Sequence, residues 1–219
     1  MDQLIFKFPF SKKYYKHDFF VSNNNFSAFK LIESWPNWPG KWLNIFGDSG
    51  SGKTHLAKIL EKKIDKVCII DAIDVNDEVI KSLNDINCLI IDNFKNNIEE
   101  NLFYSLLNQS KQLNNYLLVN SKNSVRGANF KLIDLQSRIN SFLFIGIDLP
   151  NDDLLKVIIS KTLSDKQISV NPKISDFIIN NVERSYEKMF KFLKELDELS
   201  LSTGKSININ LIKKVLKNE

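Results

Sequence analysis

The sequence predicts an α/β fold: a doubly wound parallel sheet of five strands followed by a smaller helical domain. Short apolar runs alternate with longer helical patterns through the first 150 residues, the pattern of strands joined by crossover helices. After Pro150 the β-type runs stop and helical periodicity takes over. A glycine-rich stretch, GDSGSGKT from Gly47 to Thr54, sits between a strand pattern and a helix pattern, as in a phosphate-binding turn. A chain of 219 residues with 43% hydrophobic content has enough apolar surface to bury a core of that size.

Taken in order, the strands are expected at WLNIF (42–46), VCII (67–70), CLII (88–91), YLLV (116–119) and FLFIGI (142–147). Helices fall near 53–63, 75–83, 98–113 and 134–139. A domain boundary is expected near Leu149 to Asn151. Beyond it, Asn171-Pro172 reads as an N-cap with proline in the first turn, and Ile174, Phe177 and Ile178 form one apolar face. Tyr186, Met189, Phe190, Leu193 and Leu196 continue the buried pattern, and Gly204 reads as a helix stop. Asn208 then caps a last helix that buries Leu211, Ile212, Val215 and Leu216.

Composition narrows the function classes. No apolar run approaches the roughly 18 residues of a membrane span. The net charge of +4 comes from scattered lysines, Lys13, Lys63, Lys122 and Lys214 among them, so direct DNA binding is expected to be weak or absent. Cys68 and Cys88 each lie in an apolar run and read as reduced core thiols, which fits a cytoplasmic protein. His17 and His55 are too isolated for a metal cluster. Only three residues are arginine, Arg126, Arg138 and Arg184, so their positions are informative.

The chemistry centres on Gly47, Asp48, Ser49, Gly50, Ser51, Gly52, Lys53 and Thr54, which match G-x-x-x-x-G-K-[ST]. Such a loop curls backbone N–H groups around phosphates at a helix N-terminus. Lys53 would neutralise phosphate oxygens, and Thr54 would ligate Mg²⁺. CLIIDN ends a strand in Asp92, suited to a second Mg²⁺-site carboxylate. The next residue is Asn93, where many ATPases have an acid; an amide can orient water but cannot take its proton. Asn120 ends YLLVNS, where it could touch a γ-phosphate or simply close a turn. Arg138 in DLQSRI and Arg184 near a helix start are the cations suited to phosphate charge, although Asp134 stands one helical turn before Arg138 and offers it an ion pair.

HDFFVSNNNFSAFKLIESWPNWP, GKTHL, CLIIDN, DLQSRI and the closing helices together resemble the AAA+ module of the DnaA replication-initiator family, and more closely its Hda-type regulators. The resemblance covers nearly the whole chain. It implies a five-stranded parallel AAA+ P-loop sheet with a C-terminal helical lid, divided as an N-terminal peptide at 1–12, a nucleotide-binding core at 13–150 and a lid at 151–219. ADP or ATP with Mg²⁺ is the implied cofactor, and Phe19, Phe20 and Val21 would help to build the adenine pocket. Asn120 corresponds to sensor I, and Arg138 to the arginine finger that reaches a neighbouring subunit's nucleotide. Arg184 is the best match to sensor II, yet relatives often carry that arginine one turn later, where this chain has Glu187. Relatives also tend to have a proline pair after sensor I, where this chain reads SKNSV.

The opening QLIFKF places Leu4, Phe6 and Phe8 in a terminal segment, which reads on its own as a strand or packed arm. Its likeness to the Hda-type N-terminal peptide implies that Gln3, Leu4, Phe6 and Phe8 dock on the DNA polymerase sliding clamp. The family's full initiator continues past the lid into a helix-turn-helix DNA-binding domain, so the expectation is a regulator that stimulates hydrolysis by DnaA, with weak ATPase activity of its own and self-association left open. Two other classes stand beside it. One is a DnaA-like adaptor or loader recruiting replication proteins; the other is an autonomous P-loop ATPase or kinase, for which only Arg126 remains to serve a substrate lid.

Overall fold

The computed structural model describes residues 14–168 and 171–217. Gln3, Leu4, Phe6 and Phe8 lie outside the described residues. The chain divides into two compact units, a sheet unit spanning Tyr14–Asp148 and a helical unit starting at Leu149.

The sheet unit contains α1 (Phe26–Glu33), β1 (Trp42–Gly47), α2 (Lys53–Glu61), β2 (Val67–Asp71), α3 (Asp77–Ser82), β3 (Cys88–Phe94), α4 (Glu100–Gln112), β4 (Tyr116–Ser121), α5 (Ile133–Ile139) and β5 (Leu143–Ile147). Its five strands are all parallel and run in the order β2-β3-β4-β1-β5. The fold class is therefore the α/β P-loop sheet that the sequence predicts. Both faces are covered, which explains why the strands read as unbroken apolar runs instead of alternating ones. Leu89 and Ile91 of β3 point into one core with Phe103, Leu106 and Leu117, while Cys88 and Ile90 point into the other with Leu43, Ile45, Leu56 and Ala28. Burial pushes the Cys88 thiol up to about 12 and raises that of half-buried Cys68, as expected of core thiols. In WPNWP, the Trp35–Pro36 bond is cis, and the rings of Trp35, Trp38 and Tyr116 cluster with centroids 4.1–5.9 Å apart.

The helical unit comprises α6 (Asp152–Ser164), α7 (Pro172–Asn181), α8 (Tyr186–Thr203) and α9 (Ile209–Lys217). Its caps follow the sequence. Asn151 accepts from the Leu154 N–H, Asn171 from that of Lys173, and Asn208 from that of Leu211, each at 3.0 Å. Gly204 ends α8 with φ +63°, in the left-handed region. The core includes Leu155, Ile159, Ile178, Met189, Phe192, Leu193, Leu196 and Ile212. Phe190 corrects the sequence expectation: it is 38% exposed, and Phe192 is buried in its stead. Buried positions on α8 recur as Met189, Phe192, Leu193 and Leu196, and a residue directly after Met189 is turned about 100° off that stripe.

One buried polar residue fixes the centre of the sheet. Asn44 of β1 is fully buried, donating from Nδ2 to the Val119 carbonyl at 2.8 Å and the Ser121 hydroxyl at 2.9 Å, and accepting from the Val125 N–H at 3.0 Å. It ties β1 to the carboxyl end of β4 and to the turn beyond it. Asn44→Ala leaves several buried groups unpaired and should lower unfolding stability by about 1–3 kcal/mol in urea titration. No measurable change would mean that water replaces the amide.

Candidate functional site

In open α/β sheets, ligand sites form at the carboxyl ends of the strands. Here the carboxyl ends of β1, β3 and β4 bring together four of the residues expected from sequence: Lys53, Thr54, Asp92 and Asn120. The loop leaving β1 reverses direction and enters α2 at Lys53, with Ser49 and Gly50 exposed and Ser51 buried. Gly52 precedes that helix with φ +96°, a conformation that side-chain-bearing residues rarely adopt. The Lys53 ammonium lies 2.8 Å from the carbonyl oxygens of both Gly47 and Asp48. Burial pulls its pKa below the ordinary lysine value, against the opposing pull of Asp92 and Asp48.

Asp92 is the junction. Its Oδ2 accepts from the Thr54 hydroxyl at 2.7 Å, and its Oδ1 accepts from Asn120 Nδ2 at 3.1 Å. Asn120 is fully buried, and its Oδ1 has no hydrogen-bond partner. A buried amide oxygen without a donor is costly, and it marks a place where another polar group can be accepted. Thr54 and Asp92 supply adjacent hard oxygen donors, and Lys53 rests on neutral carbonyls from which it can turn to an anion. This set fits a Mg²⁺-nucleotide phosphate group.

Asn93 is placed differently from Asp92. The register of β3 against β4 is irregular between Ile91 and Phe94, and Asn93 has φ +57°. Its Nδ2 donates at 2.6 Å to Asp71 Oδ2, at the end of β2. That amide, followed by the Ile73 N–H, holds the Asp71 carboxyl below its usual value. Phe19 packs against the phosphate loop, stacked on Phe29 at 5.6 Å and edge-on to His55 at 5.3 Å. Val21 is half-buried against the same core, whereas Phe20 is 45% exposed.

Arg138 sits on α5, and its Nε donates to Asn108 Oδ1 on α4 at 2.8 Å. With Lys111 and Gln112 these two line a surface cavity of about 470 Å³. In the helical unit, Arg184 pairs with Asp152 at 3.2 Å. Three partners escaped the sequence reading. Asn44 and Asn108 look like ordinary surface amides until the tertiary contacts are known. Lys122 becomes legible only from register: Phe46 pairs with Ser121, so the next residue of that chain lies beside Gly47.

The tightest constraint on the loop is steric. A Cβ on Gly52 would lie 2.8 Å from Phe19 Cε2. Gly52→Ala should therefore destabilise the unit through both backbone strain and this clash. A double-mutant cycle with Phe19→Leu should give a coupling of about 0.5–3 kcal/mol, because the smaller side chain relieves only the steric part. Strict additivity in thermal or urea unfolding would show that Phe19 does not confine the loop.

Comparison with known proteins agrees with this geometry. Residues 152–216 match the family described as Hda, lid domain. The chain is 24% identical over 240 residues to the chromosomal replication initiator protein DnaA of Buchnera aphidicola subsp. Cinara cedri, covering 94% of this chain but only 53% of that relative. Among solved structures, domain III of Thermotoga maritima DnaA superposes with a TM-score of 0.77 at 18% identity, covering 96% of this chain and 98% of that one. AMPPCP-bound DnaA from Aquifex aeolicus gives a TM-score of 0.69 at 18% identity, over 87% of this chain and 67% of that one. A phosphate loop, a strand-end acid and a buried strand-end amide thus meet on a fold shared with domain III of DnaA, and the helices that follow match the Hda lid family.

Proposed function

We infer that the chain binds ADP or ATP with Mg²⁺ and limits replication initiation by stimulating hydrolysis of the nucleotide held by the DnaA initiator. The observation that carries this reading is Asp92, whose two oxygens are claimed by Thr54 and Asn120 at 2.7 and 3.1 Å. That arrangement gathers the phosphate-loop hydroxyl, the acid after β3 and the amide at the end of β4 around one point. Gly47 to Thr54 would hold the phosphates, Lys53 would neutralise them, and Thr54 and Asp92 would hold the metal. Bound Mg²⁺ supplies charge neutralisation for the phosphate oxygens. Phe19, Phe20 and Val21 would flank the base, with Arg184 as the second sensor.

The residue after Asp92 argues for regulation over turnover. Asn93 offers no carboxylate base, and its amide is engaged by Asp71 at 2.6 Å. The nucleotide on this chain then acts chiefly as a structural switch, and Asn120 orients rather than deprotonates. Arg138 supplies the chemistry in trans. Its Nε bond to Asn108 uses one of the five guanidinium donors, and the planar group suits phosphate oxygens. Gln3, Leu4, Phe6 and Phe8 tether the protein to the sliding clamp, raising the local concentration of Arg138 near replicating DNA. Among the described residues, no helix is long and apolar enough to cross a membrane, in keeping with a cytoplasmic site of action.

The test is ATP hydrolysis by purified initiator, with and without this protein, clamp and DNA. Arg138→Ala should reduce the stimulation on the order of 10³-fold while leaving clamp capture intact, and Arg138→Lys should not restore it fully. Normal stimulation by Arg138→Ala would overturn the assignment. Gln3→Ala and Leu4→Ala/Phe8→Ala should abolish clamp pull-down at an unchanged melting temperature. Retained binding, or a large loss of stability, would return these residues to a packing role.

A further inference from the structure

The phosphate loop carries its own negative charge, Asp48, directly after Gly47. An acid is a poor neighbour for phosphates, and the structure shows what offsets it. Lys122, immediately beyond β4, places its ammonium 3.4 Å from Asp48 Oδ1. The same residue also accepts the Gly47 N–H on its carbonyl oxygen at 3.1 Å. Lys122 thus grips the loop twice, through backbone and through charge, from the strand that carries Asn120. The Asp48 side chain is 19% exposed and that of Lys122 62%, so solvent screens the pair in part and its strength rests on the less exposed acid.

The Asp48 and Lys122 charges are both felt at the Lys53 ammonium, the group suited to meet phosphate. The Lys53 ammonium touches the Asp48 carbonyl at 2.8 Å, and the Asp48 and Lys122 charges push its pKa in opposite directions, up and down respectively. We propose that Asp48 and Lys122 form a charge clasp that sets the preference of the phosphate loop between triphosphate and diphosphate. With Lys122 present, the carboxylate is offset in part and a more highly charged ligand is better tolerated. Without it, the carboxylate loses that share of its compensation and repels the ligand more strongly the greater the phosphate charge, so ATP suffers more than ADP. Lys122 is a specificity-determining residue here, with no role in bond breaking. The clasp rests on the nucleotide-binding reading and deepens it, by assigning the discrimination between the two nucleotides to a pair outside the G-x-x-x-x-G-K-[ST] pattern.

The experiment is calorimetric titration of the whole protein with Mg-ATP and Mg-ADP, comparing wild type, Lys122→Ala, Asp48→Asn, the double variant and Lys53→Ala. Lys122→Ala should lower the ratio of ATP to ADP affinity by about two- to fivefold, and Asp48→Asn should raise it. The double variant should return the ratio to near the wild-type value, because it removes both charges. A deficit in Lys122→Ala that the double variant fails to relieve would overturn the clasp, since Lys122 would then be serving the phosphates directly. Unchanged ratios in all three variants, with binding lost in Lys53→Ala, would overturn the clasp while leaving the phosphate site standing. Full affinity in Lys53→Ala, or no binding of either nucleotide by wild type, would overturn the phosphate site and the clasp with it.

Discussion

The sheet unit is organised around a buried carboxylate that must be satisfied. Asp92 is only 8% exposed, and a charged group in that position is tolerated where donors meet it. Its donors arrive from two other elements, Thr54 from the first turn of α2 and Asn120 from the end of β4. That requirement fixes how far the phosphate loop can rise from the sheet, and it fixes which end of β4 faces the loop. Asn44 holds the same strand end from below, through the Ser121 hydroxyl and the Val119 carbonyl, so the polar layer at the strand tips continues into the core. Lys122, one residue on, is delivered to Gly47 and Asp48 by the same register. Local identity at three positions therefore positions a fourth.

This layout explains a division of labour between rigid and adaptable parts. Lys53 rests on two backbone carbonyl oxygens, whereas Thr54 and Asn120 are each bonded to Asp92. The side chain that would respond to phosphate is thus kept apart from those that define the site. The Asn93 side chain is turned from the cluster to Asp71 by its left-handed backbone, while its N–H still donates to Asp92 Oδ1 at 3.1 Å. An acid at that position would face the Asp71 carboxylate and repel it, so the amide also suits the neighbouring strand.

The fold was legible in sequence because its strongest signals are local. Five apolar runs, a G-x-x-x-x-G-K-[ST] turn and the asparagine caps Asn171 and Asn208 each depend on residues close together in the chain, and the helix and strand types follow from them. The site was legible where a motif carries its own context, as at Lys53 and Thr54. Phe190 shows the limit: an apolar residue next to a buried stripe is indistinguishable by composition from one within it, and only helical phase separates them. Asn108, Asn44 and Lys122 show another, since each matters through a partner at least 30 residues away in the chain. For Arg138 the sequence offered Asp134 one turn earlier, and tertiary packing supplied Asn108.

An interior strand of the sheet also contains a clock. Cys88 is fully buried in β3, and burial pushes its thiol up to about 12, so the reactive thiolate is disfavoured even before access is considered. Cys68, half-buried on edge strand β2, is easier to reach. The two sulfurs therefore time different events under an alkylating reagent. Cys68 registers local breathing of the sheet edge, and Cys88 registers disruption of the strand that carries Asp92. A single chain thus holds paired chemical probes of edge fraying and of opening one strand further in, without any residue having to be introduced.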